Sequence, residues 1–158
     1  MQSAMIREAH IEAACCDLVT RVVRGAGSAS LRVTGLSMLP AIWPGDVLTV
    51  RSQSPDMLQP GQVILYQRNG RLTAHRIIRV SGDELITQGD CVPSFDQPVR
   101  FNEIVGQVAG ISRNGRAVKL QQSPGQRAAA WVLRRSEWCT RMLLRLHAAG
   151  QRLAAVPE

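Results

Sequence analysis

The chain has 158 residues, of which 45% are hydrophobic and 20% are charged. A domain of this size buries about 70% of the surface that its unfolded chain exposes, so one self-sufficient core is expected and general disorder is excluded. Nineteen lysines and arginines against twelve acidic residues give a formal net charge of +7, which favours anionic partners without choosing among them.

The first predicted element is a helix over residues 4–24. Apolar side chains recur there near helical spacing, and Gly25 and Gly27 end the pattern. Charged residues interrupt every apolar run in residues 1–25, so the segment lacks the apolar core of a secretory signal. No stretch reaches the roughly 18 consecutive apolar residues of a membrane-spanning helix. We therefore expect a cytoplasmic protein whose only membrane contact is peripheral.

Short apolar or β-branched segments come next, separated by turn sequences. They cover residues 31–33, 47–50, 62–67, 72–80, 84–88 and 106–111. Asn114-Gly115 adds a hairpin signal, because a type I′ turn needs positive φ at both central positions. Closely spaced strands of this kind predict a mainly β fold. We place the β body in residues 28–122 and the N-terminal helix in residues 1–27.

The last part of the chain, residues 123–158, is predicted to contain one long amphipathic helix from about residue 126 to residue 155. Packing of its apolar stripe on the β body is the interpretation we favour. The alternative is peripheral contact with an anionic membrane, because basic residues and tryptophans both favour a lipid headgroup layer. The stripe comprises Trp131, Trp138, Met142, Leu146, Ala149 and Leu153, and the basic residues beside it are Arg127, Arg134, Arg135, Arg141, Arg145 and Arg152.

Four cysteines occur in the sequence: Cys15, Cys16, Cys91 and Cys139. Their spacing contains no CxxC or Cys/His arrangement that would indicate a zinc or redox site. We therefore predict buried, reduced thiols, with no bound metal and no cofactor.

The segment with the clearest chemistry contains Gly35-Leu36-Ser37-Met38-Leu39-Pro40 and then Pro44-Gly45-Asp46, directly before an apolar strand. A serine hydroxyl is a weak nucleophile. It needs a base within hydrogen-bond reach and backbone amides for the oxyanion, and a glycine-flanked turn beside a strand suits both needs. A lone loop serine would be an ordinary surface residue, so the case for Ser37 rests on the surrounding pattern.

These two pieces resemble the nucleophile segment shared by type I signal peptidases and the self-cleaving repressors of the LexA type. The resemblance implies that Ser37 is the nucleophile and that Gly35 and Met38 support the active site. Signal peptidases usually have a serine at the Gly35 position, and its hydroxyl helps to bind the oxyanion. The oxyanion hole would then rest on the Ser37 amide and another backbone donor, or the activity would be reduced.

A histidine takes the place of the lysine base that bacterial signal peptidases and the repressors use. Lys119 is the only lysine, and it is far in sequence from a strand that could supply a lysine base. The segment Thr73-Ala74-His75-Arg76-Ile77 is instead similar to the His-Arg-Val strand of the archaeal, sporulation-type and endoplasmic-reticulum signal peptidases. This resemblance implies that His75 is the general base. Imidazole has a reference pKa of about 6.5, so it is largely neutral at pH 7 and can accept a proton.

Two aspartates follow in a stretch similar to the Thr-Lys-Gly-Asp sequence of those enzymes. Here the stretch is Thr87-Gln88-Gly89-Asp90, and Asp96 comes six residues later. The resemblance implies that the later acid, Asp96, orients the histidine, while Asp90 holds the active-site loop together. The opposite assignment stays open, as does the interpretation that both are turn residues.

The resemblance covers residues 31–111 and implies a signal-peptidase-like serine endopeptidase that cleaves a peptide or protein precursor, with small residues preferred before the cut. Because no spanning segment is present, exported precursors are not the expected substrates. A self-cleaving LexA-like regulator is the alternative, although only about thirty residues precede the β body, which is short for a helix-turn-helix domain. No nucleic acid partner is expected. A non-catalytic binding module that retains the peptidase fold is a third interpretation.

Overall fold

The computed structural model describes residues 2–120 and 124–135. In these residues, helices α1 (Gln2–Ala26) and α2 (Pro124–Arg135) flank an eight-stranded sheet in which every strand pair is antiparallel. The strand order is β1-β2-β7-β3-β4-β5-β6, with β8 paired to β7. The predicted mainly β fold is confirmed. The strands are β1 (Ser28–Arg32), β2 (Val47–Arg51), β3 (Val63–Arg68), β4 (Arg71–Ser81), β5 (Glu84–Gln88), β6 (Val99–Arg100), β7 (Ile104–Arg113) and β8 (Arg116–Val118).

Two hairpins turn at Asn-Gly pairs, as their sequences indicate. Asn69 and Gly70 join β3 to β4 with φ of 53° and 71°, and Asn114 and Gly115 join β7 to β8 with φ of 49° and 76°. Both residues of each pair thus have the positive φ that a type I′ turn requires. The first of these turns fixes the register in which β4 presents its side chains beside β3.

The core consists of two apolar clusters, and β3 contributes to both. Val63 and Leu65 belong to one cluster, whereas Ile64 and Tyr66 belong to the other. Because successive side chains of a strand point to opposite faces, this division means that both faces of β3 are covered. Its continuous run of apolar residues, without polar alternation, is the sequence signal for a strand buried on both faces.

An ion pair between buried Asp46 and partly exposed Arg113 anchors the segment between β1 and β2. Asp46 is buried, and its two carboxylate oxygens accept hydrogen bonds from Nε and Nη2 of Arg113 at 2.8 Å each. The amide of Trp43 donates to the same carboxylate at 2.8 Å. The end of β7 therefore holds the end of the segment that carries Ser37.

Arg68 of β3 binds the chain on both sides of β6. Its Nε and Nη2 donate to the two carboxylate oxygens of Glu103 at 2.7 Å each, and its guanidinium also donates to the carbonyls of Gln97 and Pro98. Hydrogen bonding from Arg68 is the largest influence on Glu103 and lowers its pKa to about 2. These contacts fix the segment that immediately follows Asp96.

We expect Glu103→Gln to lower the free energy of unfolding by about 1 kcal/mol at neutral pH, as is typical of a partly exposed ion pair. The folded-state pKa of Glu103 lies below its ordinary value of 4.5, so this stability is present above about pH 4.5 and is lost as the pH falls toward 2. Urea unfolding at neutral and acid pH measures the difference. Glu84→Gln is the control, because Glu84 lies 3.7 Å from exposed Arg100. A deficit of equal size at both pH values would contradict the prediction.

The cysteines are thiols where the structure describes them. Cys16 is buried, Cys91 is partly exposed and Cys15 is exposed, so the prediction of buried thiols is right for Cys16 and wrong for Cys15 and Cys91. Adjacent residues on a helix point about 100° apart, so only one of this pair can face the sheet. Cys139 lies outside the described residues.

Helix α2 packs with a different face from the one predicted. Ala130 and Leu133 are buried, whereas Trp131 is 57% exposed, with the guanidinium carbon of Arg135 4.9 Å from its ring centre. The expectation that Trp131 packs on the β body is therefore wrong; Ala130 and Leu133, three residues apart, define the packed face. The rest of the predicted stripe, from Trp138 onward, lies outside the described residues. Neither α1 nor α2, as far as they are described, has the length and apolar character needed to cross a bilayer.

Candidate active site

Ser37 lies in the loop between β1 and β2. It comes directly before the residues of that loop that are buried or hydrogen-bonded to the rest of the domain. The next two residues, Met38 and Leu39, are both buried in the core. The amide of Ile42 donates to the carbonyl of Met38 at 2.9 Å, and the amide of Cys91 donates to the carbonyl of Ser37 at 3.0 Å. Backbone contacts on both sides thus fix the Ser37 main chain while its side chain remains partly accessible.

His75 is positioned by β4, where it pairs with Ile64 of β3. Its imidazole links two other side chains. Nε2 lies 2.8 Å from Oγ of Ser37, and Nδ1 lies 2.6 Å from Oδ2 of Asp96. The residue is only 7% exposed, so little water competes for these hydrogen bonds.

Asp96 is the acid that meets the histidine. Burial is the largest single influence on its carboxyl group and would raise the pKa, but hydrogen bonds from His75 and Thr87, together with the attraction of the imidazole, outweigh burial and leave the pKa below its ordinary value. An ionised carboxylate only accepts hydrogen bonds, so Nδ1 of His75 must donate to it. Nε2 is then the acceptor and the Ser37 hydroxyl donates to it.

Asp90 has a different set of contacts. It is buried, and its two oxygens accept hydrogen bonds from Nε and Nη2 of Arg76 at 2.8 Å each. Arg76 also donates to the carbonyl of Gly61 at 2.7 Å. This ion pair joins β4 to the segment that follows β5. The structure therefore brings Ser37, His75 and Asp96 together and places Asp90 in the framework beside them.

Gly89, which is not among the predicted site residues, packs directly against the Ser37 loop. A Cβ atom at this position would come within 2.7 Å of the Ser37 carbonyl oxygen and 3.0 Å of the Ser37 Cβ. Any side chain here would force the loop to move. The glycine within Thr87-Gln88-Gly89-Asp90 was a signal of close backbone approach that could have been interpreted this way.

A cavity of about 350 Å³ opens beside Ser37, between the continuation of β1 and the beginning of β4. Both predicted support residues line it, Gly35 on the exposed rim and Met38 on the buried side. An apolar wall of this kind favours an uncharged aliphatic group and disfavours a charge, which would lose its hydration there. Its apolar lining consists of Leu31, Val33, Met38, Ile42, Leu48, Leu65, Leu72 and Ala74.

Comparison with protein-family models matches residues 4–88, more than half of the chain, to the family described as Peptidase S24-like. The chain belongs to the Peptidase S24-like family. Membership of this family supports assignment to the LexA-type peptidase superfamily. That assignment is the broader of the two that the sequence resemblance implies, and the signal-peptidase type is the narrower one. A search of curated proteins found no match.

The S24-like segment includes Ser37, His75 and Thr87 and ends before Asp90 and Asp96. The contact between His75 and Asp96 is thus an observation that the geometry adds to the family match. Residues 2–120 and 124–135 contain no group of three or more His, Cys, Asp or Glu side chains arranged to hold a metal ion.

Gly35 offers a direct test of the oxyanion site in this S24-like chain. A Cβ atom added there meets no atom within 4 Å, so a side chain fits without displacing the loop. We expect Gly35→Ser to raise the rate of Ser37 acylation about tenfold, because a single oxyanion donor is typically worth about 10² to 10³ in rate and an unoptimised one less. Phosphonylation of Ser37 by a fluorophosphonate probe, with loss of fluoride, reports the same nucleophilic attack and oxyanion stabilisation, and intact mass measures its rate. Gly35→Ala adds the same Cβ without a hydroxyl and should keep the wild-type rate; an equal gain in both variants would contradict the explanation.

Proposed function

We propose that this S24-like protein is a serine endopeptidase of the signal-peptidase type, which cleaves a peptide or protein through a Ser37 acyl-enzyme with His75 as general base. The observation that carries the proposal is the continuous hydrogen-bonded chain from Ser37 through His75 to Asp96, with distances of 2.8 and 2.6 Å. A nucleophile, a base and an orienting acid in this geometry are the requirements for acyl transfer.

In the first step of the proposed reaction, Oγ of Ser37 attacks the scissile carbonyl carbon while Nε2 of His75 takes the hydroxyl proton. The imidazolium that forms is stabilised by ionised Asp96 through Nδ1. The carbonyl oxygen becomes an oxyanion, and we propose that the Ser37 amide binds it, as the family resemblance implies. The imidazolium then gives its proton to the leaving amine, the carbon–nitrogen bond breaks, and the acyl group stays on Ser37.

In the second step, a water molecule replaces the amine. Nε2 of His75 accepts one of its protons as the water oxygen attacks the acyl carbon. The same proton returns to Oγ of Ser37 when the ester bond breaks, so the serine and the neutral imidazole are regenerated.

The cavity beside Ser37 supports an extended substrate with an uncharged aliphatic side chain near the cut. The backbone of Thr34 and Gly35 runs along the cavity rim. A bound peptide segment lying beside this rim would bring its carbonyl to Ser37, with one side chain in the apolar cavity. We propose that small apolar residues before the cut are preferred.

A fluorophosphonate probe tests the proposed chemistry without knowledge of the substrate. We expect the wild-type protein to gain one covalent probe, and peptide mass mapping to place the probe on Ser37. Ser37→Ala should not be labelled, whereas Ser52→Ala should be labelled like the wild type, because Ser52 is exposed and follows β2. Labelling of Ser37→Ala at the wild-type rate would refute the proposal.

Self-cleavage is a second candidate function, favoured by the match to a family that includes self-cleaving members. In that case a segment of the same chain would enter the cavity. Fragments of the purified protein would then appear at a rate that does not depend on protein concentration. Cleavage of an added peptide, without such fragments, would favour the first function.

A further inference from the structure

Thr87, on β5, contacts Asp96 with both its main chain and its side chain. Its hydroxyl donates to Oδ2 of Asp96 at 2.7 Å, and its carbonyl accepts the Asp96 amide at 2.9 Å. Thr87 is 0% exposed and pairs with Ile77 of β4, two residues beyond His75. A rigid, buried strand thus holds an aspartate that lies on a loop.

One carboxylate oxygen of Asp96 has two donors. Oδ2 accepts both the Thr87 hydroxyl and Nδ1 of His75. A loop carboxylate can rotate about its side-chain torsions, and a single hydrogen bond to the imidazole would leave that freedom largely intact. The second donor fixes Oδ2 on the side of the imidazole where it is needed. Because Thr87 is buried, water does not compete with this bond.

The other ionisable groups around Asp96 come from β3 and β4. His75 is the contact on β4, while Tyr66 and Arg68 approach from β3, with Arg68 already paired to Glu103. Burial, and then the nearby Asp96 charge, raise the pKa of Tyr66 to about 12, so it remains a neutral hydroxyl at any working pH. The Tyr66 hydroxyl also hydrogen-bonds to Asp96, so two buried neutral side chains meet the carboxylate, and Thr87 is the one that donates to Oδ2 beside Nδ1 of His75.

We propose that Thr87 is a positioning residue, which acts on the reaction by holding Oδ2 of Asp96 against Nδ1 of His75. The effect of Thr87 on the reaction rate rests on the proposed function. It does not require Thr87 to touch the substrate.

The local framework makes a test by substitution practical. The amide of Asp96 still has its carbonyl partner in any Thr87 variant, because that bond is made by the main chain. Gln88 holds the same loop independently, since its Nε2 donates to the carbonyls of Val92 and Pro93 at 2.8 and 3.2 Å. Thr87→Val therefore removes the β5 hydroxyl while the loop that carries Asp96 remains anchored, and Thr87→Ser keeps the hydroxyl.

The first measurement is the kinetics of fluorophosphonate labelling. We expect Thr87→Val to lower the maximal labelling rate about tenfold, with the half-saturating probe concentration unchanged, because a hydrogen bond to a charged group is worth roughly one factor of ten or more. Thr87→Ser should recover most of that rate. In an Asp96→Asn background, Thr87→Val should cause no further loss, since it acts through Asp96. The inference would be overturned if Thr87→Ser were as slow as Thr87→Val. It would also be overturned if the rate losses of Thr87→Val and Asp96→Asn multiplied in the double variant.

The second measurement does not depend on activity. In protein with ¹⁵N-labelled histidine, the Nδ1 proton of His75 should give a downfield NMR signal in the wild type and in Thr87→Ser, and this signal should weaken or move upfield in Thr87→Val. If labelling fails in the wild type while the proton responds this way, the proposed function falls and the positioning of Asp96 stands. If labelling succeeds and Thr87→Val leaves the proton unchanged, the positioning inference falls alone.

Discussion

Replacing His75 with alanine is expected to reduce the labelling of Ser37 by a fluorophosphonate by roughly 10⁵-fold or more, close to the loss in Ser37→Ala. A nucleophile and its base act as a unit, so removing either one removes most of the rate enhancement. Here the unit is the 2.8 Å contact between Nε2 and Oγ. Fluorophosphonate labelling at saturating probe, read by intact mass over hours, measures the remaining rate.

The control for His75→Ala is stability, because the imidazole is buried and its removal leaves a cavity. Circular dichroism and thermal unfolding establish whether the variant is folded at the assay temperature. Combining it with Ser37→Ala should add almost nothing to the loss. A folded His75→Ala protein that keeps about a tenth of the wild-type rate would show that another group is the base.

Local chemistry explains the part of the fold that the sequence predicted well. The turns at Asn69-Gly70 and Asn114-Gly115 can be predicted without tertiary context, because asparagine and glycine readily adopt the positive φ that both positions require. Strand β5 was predicted with its observed bounds, Glu84–Gln88. By contrast, β6 has only Val99–Arg100, and two residues carry no periodic signal. It exists because it pairs with Glu84 and Leu85 of β5.

The candidate site shows the same division between local pattern and three-dimensional contact. Ser37 and His75 could be found because each lies in a segment that resembles a known motif. The contact of Thr87 with Asp96 could not, because it depends on how the loop after β5 folds back onto that strand, and Gly89 signals a close approach without naming the Ser37 loop as its partner. Hydroxyls that hold a carboxylate have no sequence signature of their own. Only the packing of β5 reveals them.

The last prediction separates Asp96 from Asp90, which the sequence ranked but could not distinguish. Asp96→Asn is expected to lower the rate of Ser37 labelling by a fluorophosphonate about 10³- to 10⁴-fold while the protein stays folded. The asparagine amide can donate to Nδ1 of His75, which favours the tautomer with a proton on Nε2. That nitrogen then cannot accept the proton of Ser37.

Asp90→Asn is expected to have the opposite profile. Its rate should fall by less than about tenfold, but the free energy of unfolding should drop by about 2 kcal/mol, because the largely covered guanidinium of Arg76 loses its charged partner. Labelling rates and urea unfolding of both variants under the same conditions give the two comparisons. If Asp90→Asn is the slower of two folded proteins, the orienting role belongs to Asp90. The 2.6 Å contact between His75 and Asp96 would then stabilise the fold without orienting the base. The criterion is that a carboxylate that orients the base must affect the labelling rate more than the free energy of unfolding.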